Sequence, residues 1–343
     1  MTILVIGGGK MGATHLALAA QYAGKQGVAL CEPKKSVRRV FGMLGFRTYA
    51  SLEEAMAKGA APKGVLIATP TRFHAPVAET ALKNGIPVFV EKPLTLDPDR
   101  SMELVKLAEA TGVPAQTGFV LRYIATFLRL RALVADGRLG RVERYEASML
   151  GNVVTKPLPD ESWQGDFSRG GGALNEYGPH LIDLCHFVFG RVAQVEAAEK
   201  AHVHCTKADD RIDVDWTHES GIPGHMRIDW CDTTKRKSVN EFRVIFEKAE
   251  VRVDNSAVEL TWREGVDLPE GAEDLAAQPR PLNVGFYLRG EEFSLELEDF
   301  IGTCLGRNLH VDDEVPQGIT PRLVDGYEVD RMIDAIARKV GLK

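Results

Sequence analysis

The chain has 343 residues, more than a single hydrophobic core usually supports, so two domains are expected. With 44% hydrophobic and 26% charged residues it reads as an ordinary globular protein and not as a disordered chain. Lysine and arginine total 42 against 48 acidic residues, and the net charge of −6 excludes a global attraction to nucleic acid. No apolar stretch is long enough for a bilayer, and the first residues lack a basic leader and an apolar signal core. Neither nucleic acid nor membrane is an expected partner, and a cytoplasmic location is expected.

Residues 1 to about 120 alternate short apolar runs with helical patterns. Strands are predicted at 3–6, 28–31, 64–68, 87–90 and 115–118, and helices at 11–22, 51–57, 76–84 and 100–111. Strands with Val and Ile on both faces, each followed by a helix, predict a parallel sheet covered on both sides, a doubly wound α/β fold. Gly85-Ile86-Pro87 and Gly112-Val113-Pro114 read as helix stops before the next strand.

Within this half, Gly7, Gly9 and Gly12 satisfy G-x-G-x-x-G between the first strand and the first helix. The first glycine suits the tight turn, the second lets backbone approach a pyrophosphate, and the third lets helix pack on strand. The helix N-terminus then offers free N–H groups to the anion. Glu32 follows at the end of the next strand, at the spacing of a ribose-binding acid. A carboxylate there accepts from both ribose hydroxyls and repels a 2′-phosphate, which favours NAD. Lys34, Lys35, Arg38 and Arg39 keep NADP as the alternative, or form a solvated helix face. Glu91-Lys92-Pro93 closes the strand Val88-Phe89-Val90, at the carboxyl edge where open α/β sheets bind ligands. An ammonium at that edge can stabilise a developing alkoxide, although the tripeptide alone equally describes a surface lysine before a loop proline.

From about residue 142 the period changes to two. Phe242, Val244 and Phe246, then Val251 and Val253, then Val258, Leu260 and Trp262 predict an antiparallel meander, and Met226, Ile228 and Trp230 add a strand. The stretch Gly170 to Asp183 starts with three glycines and continues through Asn175, Glu176, Pro179 and His180. On one helix Glu176, His180 and Asp183 would share a face, although Pro179 allows the helix to begin only near His180. A histidine beside a carboxylate suits acid–base work on an alcohol, but by itself the segment reads more readily as a polar helix face. Residues 267–281 are expected to form a loop, and 291–305 and 321–340 helices. Five scattered cysteines predict reduced thiols and no disulfide framework. His202-Val203-His204-Cys205 would place two histidines on one face of a strand, but without further spaced ligands no metal is expected.

Taken in order, these motifs resemble the glucose–fructose oxidoreductase/inositol dehydrogenase/rhizopine-catabolism (Gfo/Idh/MocA) family. The resemblance runs through Gly7–Gly12 with His15, Thr69-Pro70 with His74, Glu91-Lys92-Pro93, Gly118-Phe119 with Arg122-Tyr123, and Gly170–Asp183, and so covers most of the chain. It implies an α/β protein with an N-terminal NAD(P)-binding Rossmann domain (1–120). A C-terminal α/β domain with an open, mainly antiparallel sheet (121–319) would bind substrate and form subunit contacts, and a last helix (320–343) would pack back on the first domain. Lys92 and His180 map onto the catalytic lysine and histidine, and Glu176 onto a third catalytic position. There the family more often has an aspartate, and the glutamate side chain is one methylene longer. The implied cofactor contacts are Gly7, Gly9, Lys10, Met11, Gly12, Glu32, Thr69, Pro70, His74, Glu91 and Lys92. Substrate contacts are implied for Lys92, Arg122, Tyr123, Trp163, Asn175, Glu176 and His180. The implied activity is hydride transfer between NAD (or NADP) and a hydroxyl or hemiacetal carbon of a sugar, sugar acid or cyclic polyol, by a homodimer or homotetramer. The alternatives are glycoside cleavage through transient oxidation on tightly held NAD, and a non-catalytic NAD-binding regulator.

Overall fold

The computed structural model describes residues 2–159, 161–312 and 315–343. It divides into two compact units, Met1–Tyr123 with Leu282–Asp330, and Ile124–Pro281 with Arg331–Lys343.

The first unit is built on strands β1 (Thr2–Ile6), β2 (Val28–Cys31), β3 (Arg47–Tyr49), β4 (Pro62–Ile67), β5 (Val88–Glu91) and β6 (Ala115–Gly118). They lie in the order β3-β2-β1-β4-β5-β6, and every neighbouring pair is parallel. Alternate residues feed opposite faces. Leu4, Ile6, Val65, Ile67, Val88 and Val90 pack with Ala78, Leu82 and Leu104 on one side. Ile3, Val5, Leu30, Leu66 and Phe89 pack with Leu16, Ala19, Leu297, Phe300 and Ile301 on the other. Two buried faces explain the near-continuous apolar strands, each fully buried aliphatic side chain contributing about 2 kcal/mol. The helix Pro98–Thr111 starts on a capping Asp97, with proline in its first turn, and stops at left-handed Gly112. Strand β3 was not expected from the sequence. It has three residues, none fully buried, and no apolar run to announce it.

The expected limits of the second domain, 121–319, differ from this division. Residues 282–330 belong to the first unit because the apolar side of the helix Glu291–Leu305 supplies Leu297, Phe300 and Ile301 to the Rossmann sheet. Of the expected C-terminal segment 320–343, the part up to Asp330 lies in the first unit and the remainder in the second.

The second unit carries β7 (Val142–Leu150), β8 (Val192–Ala201), β9 (Arg211–His218), β10 (Pro223–Asp229), β11 (Val239–Phe246), β12 (Ala249–Val253) and β13 (Val258–Trp262). The order is β13-β12-β11-β7-β10-β9-β8, antiparallel throughout except for the parallel pair β7–β10. Tyr145, Ala147, Ile212, Val214, Trp216, Met226, Ile228, Phe242 and Val244 form its buried face. There Tyr145 stacks on Phe189 of the helix Gly178–Phe189 with ring centroids 4.0 Å apart. The opposite face is a lattice of cross-strand charges such as Arg227–Asp213 and Arg243–Glu250. Exposed pairs of this kind add little stability individually, and they keep an open face polar. Among the described residues no helix is long and apolar enough to cross a membrane.

The segment 202–205 is not a strand, so its two histidines do not share a strand face. It is a bend whose Val203, His204 and Cys205 N–H groups all donate to Asp210 Oδ2, at 2.7, 2.7 and 2.8 Å. Trp230, just beyond β10, donates its indole N–H to Asp210 Oδ1.

In the first unit the segment after the helix Glu291–Leu305 is fastened by His310. Its Nδ1 meets Glu298 Oε2 at 3.0 Å and its Nε2 meets Asp299 Oδ1 at 2.6 Å. Burial pushes this imidazole down, but hydrogen bonds and charges from Asp299 and Glu298 outweigh it and raise the group to about 9. The folded value lies above the ordinary 6.5, so the stabilisation is complete below that pH and is lost as pH rises through about 9. His310→Gln is expected to cost about 3 kcal/mol near neutrality, because it leaves the buried Glu298 uncompensated. Melts of both proteins at neutral pH and at roughly pH 10 check this: the deficit should shrink in alkali.

Candidate functional site: a dinucleotide cradle and two candidate segments

The turn after β1 is shaped by glycine where geometry demands it. Gly7 has φ +105° and a Cβ there would press on the Ala68 carbonyl, while a Cβ on Gly12 would overlap the Gly7 carbonyl oxygen. Gly9 differs. Its backbone is extended (φ −76°, ψ −170°), and a Cβ on it would meet no atom within 4 Å. Protein packing therefore gives no reason for a glycine at this position, whereas the approach of a pyrophosphate to the backbone does. The helix Lys10–Ala23 begins immediately after it, with no side-chain cap and no acidic residue in its first turn. Its leading N–H groups are thus left for an anion. Lys10 and Met11 form that first turn, and Met11 Sδ receives Arg289 Nη1 at 3.1 Å.

The strand order reverses between β1 and β4, which makes the carboxyl ends of these strands the switch point of the sheet. Glu32 stands just past β2, with Oε2 accepting Gly8 N–H at 2.8 Å and Oε1 accepting Lys34 N–H at 2.9 Å. The carboxylate is thereby aimed, and each oxygen retains a lone pair for a ribose hydroxyl. Arg38 donates to the carbonyls of Glu32 and Pro33. Beyond β4, Thr69 Oγ1 is buried with no hydrogen-bond partner, and Pro70 is exposed. An aimed carboxylate, an unpartnered hydroxyl and an open glycine fit a dinucleotide.

The Glu91-Lys92-Pro93 bend is braced from behind. Glu91 Oε1 meets His15 Nε2 at 2.6 Å, and His15, fully buried, sits edge-on to Phe89. Burial pushes the Glu91 carboxyl up, but the His15 hydrogen bond and the charges of His15, Lys92 and His74 outweigh it and hold the group below the glutamate range. His74 lies between Pro93 O (3.0 Å) and Thr69 O (2.9 Å), so its ring ties the end of β4 to the lysine bend. Burial keeps His74 below the ordinary histidine value against the pull of both carbonyls. His74, expected as a cofactor contact, braces backbone here. Lys92 is half-buried between these braces.

In the second unit a helix begins close to His180, as Pro179 allowed, and a short helix precedes it. Ala173–Glu176 and Gly178–Phe189 are separated at Tyr177, and Pro179 occupies the first turn of the second. Glu176 and His180 therefore lie on different helices. Asn175 is buried and donates to the carbonyls of Phe167 and Gly171, so its amide shapes the glycine loop. Asp209, unnoticed in the sequence, fixes the start of the first helix: Oδ2 accepts Leu174 N–H at 2.8 Å and its carbonyl accepts Ala173 N–H. Burial raises its carboxyl to about 6. Trp163 is 46% exposed and free to meet a ligand.

Two further expected substrate residues are engaged within the first unit. Tyr123 is fully buried and donates to Asp299 Oδ2, and Arg122 is buried beside Asp325 at 3.5 Å. Among the described residues no cluster of His, Cys, Asp or Glu is arranged to hold a metal ion. Burial raises all five thiols to about 12, which leaves none activated as a nucleophile.

A parallel sheet with a glycine cradle at its switch point, beside an acid placed for ribose, defines a Rossmann dinucleotide-binding protein. Residues 1–119 match the profile described as "Oxidoreductase family, NAD-binding Rossmann fold", and 127–252 match the GFO/IDH/MocA C-terminal domain. The chain belongs to the Gfo/Idh/MocA oxidoreductase family. It is 34% identical to inositol 2-dehydrogenase of Corynebacterium glutamicum over 197 residues, 56% of this chain and 55% of that protein, so the match spans about half of the relative's length. It is 28% identical to inositol 2-dehydrogenase of Rhizobium meliloti across 99% of this chain and 96% of that one. Levoglucosan dehydrogenase in complex with NADH and levoglucosan superimposes with a TM-score of 0.79 at 18% identity, covering 99% of this chain and 97% of its own, a likeness of fold.

The two glycines separate ligand from packing. Gly9→Val should leave the melting temperature nearly unchanged yet weaken NADH binding at least about tenfold, whereas Gly12→Val should lower both. Calorimetry and nucleotide fluorescence on the two variants check this.

Proposed function

We propose that the protein is an NAD-dependent dehydrogenase or reductase acting on a hydroxyl or hemiacetal carbon of a sugar, sugar acid or cyclic polyol. The observation that carries this is Gly9, open to a pyrophosphate at a helix N-terminus, with the Glu32 carboxylate aimed nearby. Relatives named for inositol and levoglucosan support the substrate class. Bound NAD supplies the hydride acceptor.

The chain's own residues do the rest. Gly7, Gly9, Gly12 and the first turn at Lys10 and Met11 hold the pyrophosphate, Thr69 and Pro70 border it, and Glu32 accepts from the ribose hydroxyls. His180 takes the proton of the substrate hydroxyl as general base, and Lys92 donates to that oxygen and stabilises its developing charge. His15 and His74, through Glu91 and Pro93, limit the freedom of the lysine bend. Glu176 orients His180 or accepts from a neighbouring hydroxyl, and Trp163 offers an apolar face to the ring of a sugar. The open charged face of the second sheet is the surface through which a homodimer or homotetramer would form. Five free thiols, three of them buried, suit the cytoplasm.

Absorbance of NADH on incubation with NAD and a panel of aldoses, aldonates, inositols and nucleotide sugars tests the activity. Turnover confined to one stereochemical class is expected. Glycoside cleavage without NADH accumulation would replace this reading with transient oxidation. Lys92→Ala and His180→Ala should each lose about 10³-fold in kcat while retaining NADH binding, and near-normal rates would remove the corresponding role. Glu32→Ser should shift preference toward NADPH about tenfold or more, read as the ratio of the two binding constants.

A further inference from the structure

The bend that contains Lys92 has a third anchor, and it comes from the far end of the chain. Thr95 N–H donates to Asp330 Oδ2 at 2.7 Å, and Ser101 Oγ donates to the same oxygen at 2.6 Å. Thr95 Oγ1 lies 2.7 Å from Ser101 Oγ and donates to Asp97 O, the residue that caps the helix Pro98–Thr111. Asp330 lies on the helix Leu323–Lys339 and is 3% exposed. One turn earlier, Gly326 lets that helix approach closely. A Cβ there would lie 2.8 Å from Thr117 Oγ1 and 3.0 Å from Leu94 Cβ. The glycine thus brings the helix close enough for the carboxylate to reach Thr95. A buried carboxylate whose hydrogen bonds converge on one loop is costly as a packing device, since an apolar residue of similar size would fill the same space without desolvation. Burial indeed raises this carboxyl to about 7, against the opposing bonds from Ser101 and Thr95.

We propose that Asp330 is a positioning residue for Lys92: by holding Thr95 and Ser101 it fixes the bend between β5 and the helix Pro98–Thr111, and with it the placement of the lysine. The inference rests on the catalytic role given to Lys92 above. Three successive alternate positions are then held from outside the bend, Glu91 by His15, Pro93 by His74 and Thr95 by Asp330. Lys92 lies between the first two, so release of the third frees the bend on its downstream side.

The test compares Asp330→Ala, Asp330→Asn, Ser101→Ala and Gly326→Ala in the full chain, with Lys92→Ala in parallel. Asp330→Ala should lower kcat about 10- to 100-fold with the NADH binding constant within about twofold, and Asn, whose side-chain oxygen still accepts from Thr95, should restore most of the loss. Ser101→Ala, the mildest change, and Gly326→Ala should fall between. Independently of turnover, acylation of Lys92 by an amine reagent in the cofactor-free protein, read by peptide mass spectrometry, should change at least about threefold in Asp330→Ala while the exposed Lys63 is unchanged. Unaltered Lys92 labelling in folded Asp330 and Ser101 variants would overturn the proposal. Equal losses of kcat and NADH affinity, without rescue by Asn, would also overturn it and leave a general structural role. If Lys92→Ala itself retained turnover, the catalytic reading would fall, while the labelling would still decide whether Asp330 places the lysine.

Discussion

The contact on which the dinucleotide site depends is the approach of the first helix to the first strand. With no side chain at Gly12, the helix Lys10–Ala23 closes onto the Gly7 carbonyl, and this brings its unpaired N–H groups to the sheet's carboxyl edge. Once the helix is at that height, Gly8 N–H can reach the Glu32 carboxylate, and the acid at the end of β2 is oriented by the same turn that prepares the phosphate position. Raising the helix by the width of a methyl group would disturb both halves of a nucleotide site together. The covalent spacing of the glycines and the acid is thus converted into relative position by one steric fact.

The lysine bend shows a second economy. Its neighbours act as braces, and each brace is a buried polar group brought from a different element: His15 from the first helix, His74 from the helix His74–Lys83, Asp330 from the last helix. Buried polar groups are costly unless hydrogen-bonded, and here the bonds that His15, His74 and Asp330 do make also limit the motion of the segment between. A flexible amine needs such support, because its four-carbon stem carries rotamer freedom that would otherwise spread its charge over many positions.

Legibility followed physics. The strands of the first sheet could be read because burial on both faces requires uninterrupted Val, Ile and Leu, and the meander β11–β13 because burial on one face requires alternation. Strand β3 could not, being short and partly exposed, nor could β8, an edge strand whose register shifts twice and so breaks the period. The glycine cradle and Glu32 were visible because their spacing is local. Residues such as Tyr123 and Asn175 carried the right chemistry in the right motif, yet their orientation is set by Asp299 and by the Phe167 and Gly171 carbonyls, which no short window contains. Asp330 is the extreme case. Its partner Thr95 is 235 positions away, and its only local sign is an acid among Val329, Met332 and Ile333 on the buried side of a helix.

The single parallel pairing in the second sheet carries a topological consequence. Strands β7 and β10 run side by side in the same direction, with Tyr145 opposite Gly224, so the chain between them must make a crossover and not a hairpin. The glycine loop, the paired helices with Glu176 and His180, and the strands β8 and β9 all belong to that excursion. Closing so long a loop carries an entropic penalty before any ladder bond forms, which makes the centre of this sheet a late event in folding. The histidine segment is therefore the connector whose length and compactness determine whether the two central strands meet.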